Sequence, residues 1–217
     1  MNAQLHPATR RRGSLLLADI SGYTGFLGGV AEAHTDLIIE ADQPPPAYAV
    51  LSHLLDTMVA AIDPPFRLVK FEGDAVFALA EDGSLDGADV LETLRRCYAR
   101  FREELALAGS QWTCSCNACA RIGDLDLKFI LHTGEFVAQS IAGREELLGH
   151  DVNLAHRLLK NHARELVGPV AYALITDAAA QRLGVPTEGM TATVEEYADT
   201  TAVPVHLLVL GETPAPV

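Results

Sequence analysis

Basic residues are scarce in this chain: 16 Lys plus Arg stand against 29 Asp plus Glu over 217 residues, a net charge of −13. A field of that sign repels nucleic acid and anionic lipid, whose affinity for proteins comes largely from neutralised phosphates. No apolar run approaches the roughly 18 residues of a membrane span. The basic start MNAQLHPATRRRGS is followed by LLLADISGY, too short and too soon acidic for a signal peptide. A cytoplasmic protein without nucleic-acid or membrane partners is therefore expected. Cysteine is also sparse, with four residues, and a cytoplasmic address argues against a disulfide framework. There is no internal repeat or low-complexity tract. With 49% hydrophobic residues and a slightly positive mean hydropathy, the chain can bury a core and does not suit disorder.

Residues 1–13 read as a flexible basic arm, 14–212 as one domain and 213–217 as a tail. Residues 14–20 form a continuous apolar run, the mark of a buried strand. YTGFLGGVAEA opens a helix weakened by Gly28 and Gly29, and Pro44, Pro45 and Pro46 end any helix before them. AYAVLSHLLDTMVAAI is a clean helix stopped by Pro64 and Pro65. FRLVKFEG and DAVFALA predict a hairpin with Asp74 at its tip. The next helix carries Val90, Leu94, Phe101 and Leu105 on one face, near Cys97. A cysteine-containing loop at 108–124 leads into the strand LKFILHTGE, and EFVAQSIAG reads as a further strand pairing with it. NLAHRLLKNHAREL is predicted as a helix, AYALIT as a strand, DAAAQRLG as a helix and PVHLLVL as a closing strand. Strands alternating with helices, with hairpins among them, define an α+β sandwich with helices on one face of a sheet.

Two segments carry the chemistry. LLLADISGYTGFL and VKFEGDAVFALA each bring an apolar run to an aspartate beside a glycine: Asp19 with Gly22, and Asp74 with Gly73. Either residue alone reads equally as a turn residue at a strand end. Together, two carboxylates delivered to one place suit Mg²⁺, which takes oxygen ligands from one or two carboxylates plus substrate phosphates. Two such ions about 4 Å apart clamp the attacking and leaving oxygens of a phosphoryl displacement. An anionic, phosphate-bearing substrate would also need a local basic patch in so acidic a chain, and Arg157, Lys160 and Arg164 provide one.

DISGYT, KFEGDAVFA, LKFILHTGE and GHDVNLAHR follow one another in an order and spacing that resembles the class III adenylate/guanylate cyclase catalytic domain, from about Leu15 to Leu210. The resemblance implies a ferredoxin-like, antiparallel-rich sheet with helices packed on it. It implies two Mg²⁺ or Mn²⁺ ions held by Asp19, Asp74 and the backbone carbonyl of Ile20. Lys70 matches the lysine that reads adenine N1, which accepts a hydrogen bond where N1 of guanine donates one. Its partner position, an acceptor for the exocyclic amine, falls on Glu146, where adenylate cyclases carry Asp. Asn153 and Arg157, four apart on one helix face, match the residues that orient the ribose and stabilise charge on the α-phosphate. The implied activity is conversion of ATP to cyclic AMP and pyrophosphate at the interface of a head-to-tail homodimer, with metal and base residues from different subunits. The alternative is a catalytically silent nucleotide-binding or signalling module. Plainer readings stand beside each role: Lys70 as an edge-strand charge, Glu146 as a solvated loop carboxylate, Asn153 as an N-cap and Arg157 as a solvent-facing side chain. His132 and Thr133 read as structural, and the spacing of His150, His156 and His162 fixes no metal site. Gln139 and Ala142 replace two glycines of the family's turn, a departure that bears on the activity more than on the fold.

Cys114, Cys116 and Cys119 form a C-x-C-x-x-C cluster. It reads either as a reduced structural loop or as thiolate ligands of a structural zinc, whose tetrahedral site would need a fourth donor from His, water or a partner. A third possibility is an interaction protein for which the cyclase fold is only the scaffold.

Overall fold

The computed structural model describes residues 8–35, 44–83, 85–111, 114, 116–198 and 201–211. A mixed sheet organises them in the order β2-β3-β1-β4-β6-β8-β7, with β5 pairing to β4 beside that path. The strands are β1 (Ala8–Ser21), β2 (Arg67–Glu72), β3 (Ala75–Glu81), β4 (Asp126–Ile141), β5 (Arg144–Leu148), β6 (Tyr172–Thr176), β7 (Thr191–Glu195) and β8 (Val203–Val209). Among the described residues only the β4–β6 pairing is parallel. The expected antiparallel-rich α+β sheet is what forms.

β1 lies between β3 and β4, and its side chains alternate between two hydrophobic clusters. Leu16, Ala18 and Ile20 face one; Leu15 and Leu17 face the other. A strand covered on both faces must be apolar at every position, which is why LLLA runs unbroken. The first face is covered by α1 (Tyr23–Ala33), α2 (Ala47–Ile62), α3 (Gly87–Gln111) and α7 (Asp177–Leu183). On α3, Val90, Leu94, Cys97, Phe101 and Leu105 are all buried, as their helical spacing requires. The short helix α4 (Asn117–Ala120) and a following 3₁₀ turn, Arg121–Asp124, close this layer through Cys119 and Ile122. The second face is covered by α5 (His150–Arg157), through Val152, Leu154 and Ala155, and by Ala163 of α6 (Ala163–Val167). Helices thus pack on both faces, not on one.

Three local expectations change. Residues 8–13, expected to belong to a flexible arm, extend β1 and pair with β4 from Ala8↔Gln139 onward. Their arginines are answered across the sheet: Arg10 and Arg12 pair with Glu135, and Arg11 with Glu81. Residues 1–7 and the tail 213–217 lie outside the described residues. LKFILHTGE and EFVAQSIAG form one long strand, β4, whose hairpin partner is β5. NLAHRLLKNHAREL is broken at Asn161, whose side chain donates to the carbonyl of Leu158 (2.7 Å) and accepts from the amide of Ala163 (2.9 Å). An Asn that bonds its neighbours' backbone offers an alternative to the helix ladder, so the helix stops there.

Candidate active site

β1 pairs with β3 so that Asp19 stands opposite Ala75, the residue after Asp74. The two-residue Gly73–Asp74 turn joins β2 to β3, with Gly73 at φ +66°, a value glycine adopts without strain. The chain leaves Asp19 through Ile20, Ser21 and Gly22 (φ +89°) directly into α1. Adjacent strand ends and a helix start therefore enclose one cavity of about 370 Å³. Its walls include Asp19, Ile20, Asp74, Lys128, Asn161 and Arg164. The first-turn segment of α1 also lines it, and amides at a helix start favour anions.

The electrostatics are those of a carboxylate pair that positive charge only partly balances. Burial first, and then the Asp19 charge, raise the Asp74 carboxyl above its ordinary 3.8. Lys128 opposes this; its Nζ lies 2.9 Å from Oδ2 of Asp19 and also donates to the carbonyl of Leu159 (3.1 Å). Tyr23 is raised by burial and then by the Asp74 charge. All the oxygens on offer from Asp19, Asp74 and the Ile20 carbonyl are hard donors, the chemistry that Mg²⁺ and Mn²⁺ select.

Lys70, Glu146, Asn153 and Arg157 lie elsewhere on the chain. Lys70 Nζ sits 3.3 Å from Glu146 and 3.0 Å from Glu72. The lysine and the glutamate singled out from sequence 76 residues apart are thus neighbours. Hydrogen bonding to Glu72, then to Glu146, raises the lysine above its usual value despite partial burial. Glu72 also stands 2.8 Å from His156 Nε2, tying β2 to α5. Asn153 is exposed, and its amide bonds the carbonyl of Gly149, the residue that caps α5; Asn153 is therefore not the N-cap. The Arg157 guanidinium lies 6.0 Å from the centroid of the Tyr197 ring, at cation–π range. Within a single chain the Lys70–Glu146 and Asn153–Arg157 pairs do not line the Asp19–Asp74 cavity.

The three Cys-loop thiols converge on a residue that sequence reasoning did not name, His34 at the end of α1. Lys128 was missed as well, although a lysine inside the apolar run LKFIL is a signal that something acidic answers it. Arg164, from the basic patch, reaches the cavity; Lys160 stays exposed. His132 is buried and structural in setting: Nδ1 lies 3.0 Å from Thr176 Oγ1, and burial holds its pKa below 6.5. His156 and His162 turn to different carboxylates, Glu72 and Glu195. The turn between β4 and β5 carries Ala142 at φ +51°, where a glycine would be relaxed.

Solved structures that superpose on this fold include nucleotide cyclase domains. A bacterial light-regulated adenylyl cyclase superposes with a TM-score of 0.65 at 16% identity, over 96% of this chain and 54% of the other. The guanylyl cyclase Cya2 gives 0.63 at 18% identity, over 97% and 98%. A class III adenylyl cyclase-like ATP-binding protein from Pseudomonas aeruginosa gives 0.56 at 18%, over 81% and 35%. The chain is thus a divergent domain with the class III adenylyl/guanylyl cyclase fold. It belongs to the family described as "Protein of unknown function (DUF2652)", whose model matches residues 51–165. An uncharacterized protein of Mycobacterium tuberculosis is 34% identical over 134 residues, 61% of this chain and 60% of that relative's length. The chain therefore spans well under two thirds of that relative. Among the described residues no helix is long and apolar enough to cross a membrane.

Proposed function

We propose that this domain binds a nucleoside triphosphate, ATP in preference to GTP, together with two Mg²⁺ or Mn²⁺ ions in the cytoplasm. It then cyclises the nucleotide to cyclic AMP and pyrophosphate at a head-to-tail homodimer interface, supplying a diffusible signal. The observation that carries this reading is the convergence of Asp19 and Asp74 with Lys128 and Arg164 on one cavity. Asp19, Asp74 and the Ile20 carbonyl hold the ions, which supply charge neutralisation for the attacking 3′-oxygen and for the leaving pyrophosphate. Lys128 and Arg164, from the same walls, hold phosphate oxygens. The bond formed is O3′–Pα, the bond broken is that between Pα and the β-phosphate bridging oxygen, and the 3′-hydroxyl proton passes to solvent.

The remaining roles fall to residues outside the cavity of the same chain, which is why a second copy is part of the reading. Lys70 donates to adenine N1 and Glu146 accepts from the exocyclic amine; their 3.3 Å separation suits two adjacent edge atoms of one base. Asn153 orients the ribose, and Arg157 meets the charge that builds on the α-phosphate with a planar fork of donors. A two-fold dimer then holds two equivalent sites.

Incubation with ATP or GTP and Mn²⁺, followed by mass spectrometry of the products, tests the reaction. Cyclic AMP in excess of cyclic GMP is the expected result. Protein that binds ATP with Mn²⁺ but releases no cyclic nucleotide would leave the fold and remove the cyclase activity.

A further inference from the structure

His34 Nε2 lies 3.3 Å from Cys114 Sγ, 3.9 Å from Cys119 Sγ and 4.0 Å from Cys116 Sγ, and the four donor atoms all fall within 4.8 Å of one another. We propose that these four residues form a closed structural zinc site that fastens α1 to the cysteine loop, independently of whether the domain is a cyclase.

Four observations carry the assignment. The first is spacing. With Zn–S near 2.3 Å and Zn–N near 2.0–2.1 Å, a tetrahedron sets N···S at about 3.6 Å and S···S at about 3.8 Å. The three N···S distances straddle that figure without any rearrangement of the backbone. Second, the tautomer is set. His34 Nδ1 lies 2.9 Å from the carbonyl of Val30, so Nδ1 carries the proton and Nε2 presents its lone pair to the sulfurs. Metal-bound imidazoles are oriented this way by a backbone or carboxylate acceptor. One lone pair cannot accept from three thiols at once, whereas a metal satisfies all four donors together.

Third, the loop is shaped around the sulfurs. Cys116 caps α4, its Sγ accepting from the amide of Cys119 at 3.3 Å. An N–H bond to sulfur is strongest to a thiolate. Fourth, donor softness and closure select the ion: three sulfurs and one imidazole, with His34 and Cys119 buried, suit tetrahedral zinc and exclude Mg²⁺. No position is left for a substrate, so the centre is structural.

Its location defines its task. His34 ends the helix that begins at Gly22, three residues beyond Asp19, while Cys116 and Cys119 frame α4. Gly25, Phe26 and Gly29 of α1, with Asn117, Ala118 and Arg121, line a cleft of about 630 Å³ that shares Ser21, Gly22 and Arg164 with the Asp19–Asp74 cavity. The zinc ties α1 to the α4 segment that lines the cleft with it.

The test is metal analysis of protein purified under reducing conditions, followed by cobalt substitution. One zinc per chain is expected, and Co²⁺ exchange should give intense visible d–d bands of tetrahedral geometry with thiolate charge-transfer absorption. His34→Cys should keep the metal and shift those bands, whereas Cys116→Ser should lose most of it. Cys97→Ala, on α3 and outside the cluster, should leave the spectrum unchanged. Folded wild-type protein that takes up neither zinc nor cobalt, or whose three loop thiols react freely when metal-replete, would overturn the site. A cobalt spectrum unchanged in His34→Cys would overturn His34 as the fourth ligand.

Discussion

Lys128 Nζ stands 2.9 Å from Asp19 Oδ2, with side-chain exposures of only 21% and 16%. The pair joins facing positions of β1 and β4, Asp19↔Lys128 in the register, and both residues line the Asp19–Asp74 cavity. A lysine there neutralises part of the carboxylate pair and competes with any divalent ion for Asp19. Lys128→Met should therefore lower the melting temperature without metal, because the carboxylates lose their counter-charge. Mn²⁺ should raise the melting temperature of the variant more than that of wild type. Triphosphate affinity should fall about tenfold or more, the scale of one lost charge-assisted hydrogen bond. Scanning calorimetry with and without Mn²⁺, and nucleotide titration, read these outcomes. An Mn²⁺ response identical in the two proteins would separate Lys128 from the metal site.

The raised Asp74 carboxyl gives a pH dependence with a defined sign. The folded protein favours the protonated form, so this group's contribution to stability is complete below the ordinary value of 3.8 and is lost as pH rises through its higher folded value. Asp74→Asn should thus stabilise metal-free protein at neutral pH and have no such effect in acid below that window. Metal binding displaces the proton, so Mn²⁺ affinity in wild type should climb across the same range. Denaturant melts at several pH values, with and without Mn²⁺, measure both trends.

If active sites are shared across a dimer, Asp74→Ala and Arg157→Ala should each reduce cyclisation about a hundredfold or more, the cost of roughly 3 kcal/mol of transition-state stabilisation. Mixing the two inactive variants should restore activity, because heterodimers contain a site with both residues intact. A mixture that stays inactive despite subunit exchange would mean a site built within one chain.

Ala142 is the one non-glycine residue with positive φ among those described, at +51° beside Gly143 at +79°. Left-handed backbone costs alanine about 1 kcal/mol. Ala142→Gly should raise stability by up to about that amount while leaving the β4–β5 register intact. The urea midpoint checks it; a lower midpoint would show that the turn carries no strain.

Some of this molecule follows from local pattern. The α2 helix between its prolines, the apolar stripe of α3 and the hairpin that puts Asp74 at its tip each need only neighbours within a few residues, through 3.6-fold or two-fold periodicity and a breaker at each end. The order of those pieces, read with their aspartates and glycines, also resembles the cyclase fold that the chain adopts. The missed features depend on residues that meet only across strands or across the core. Residues 8–13 look like a loose basic arm until β4 supplies Glu135 and a row of backbone partners. Arg164 faces the cavity because the Asn161 side chain ends one helix and starts another, and Tyr172 of β6 donates to that same side chain at 2.9 Å. The cysteine spacing offers three thiols within six residues, as a reduced loop or as metal ligands, but His34, which completes the proposed centre, lies 80 residues before Cys114 and meets it because α1 packs against the loop. Periodicity acts along the chain and is written in it, whereas the donors that close a metal centre or balance a buried charge are chosen by which elements the sheet register brings side by side.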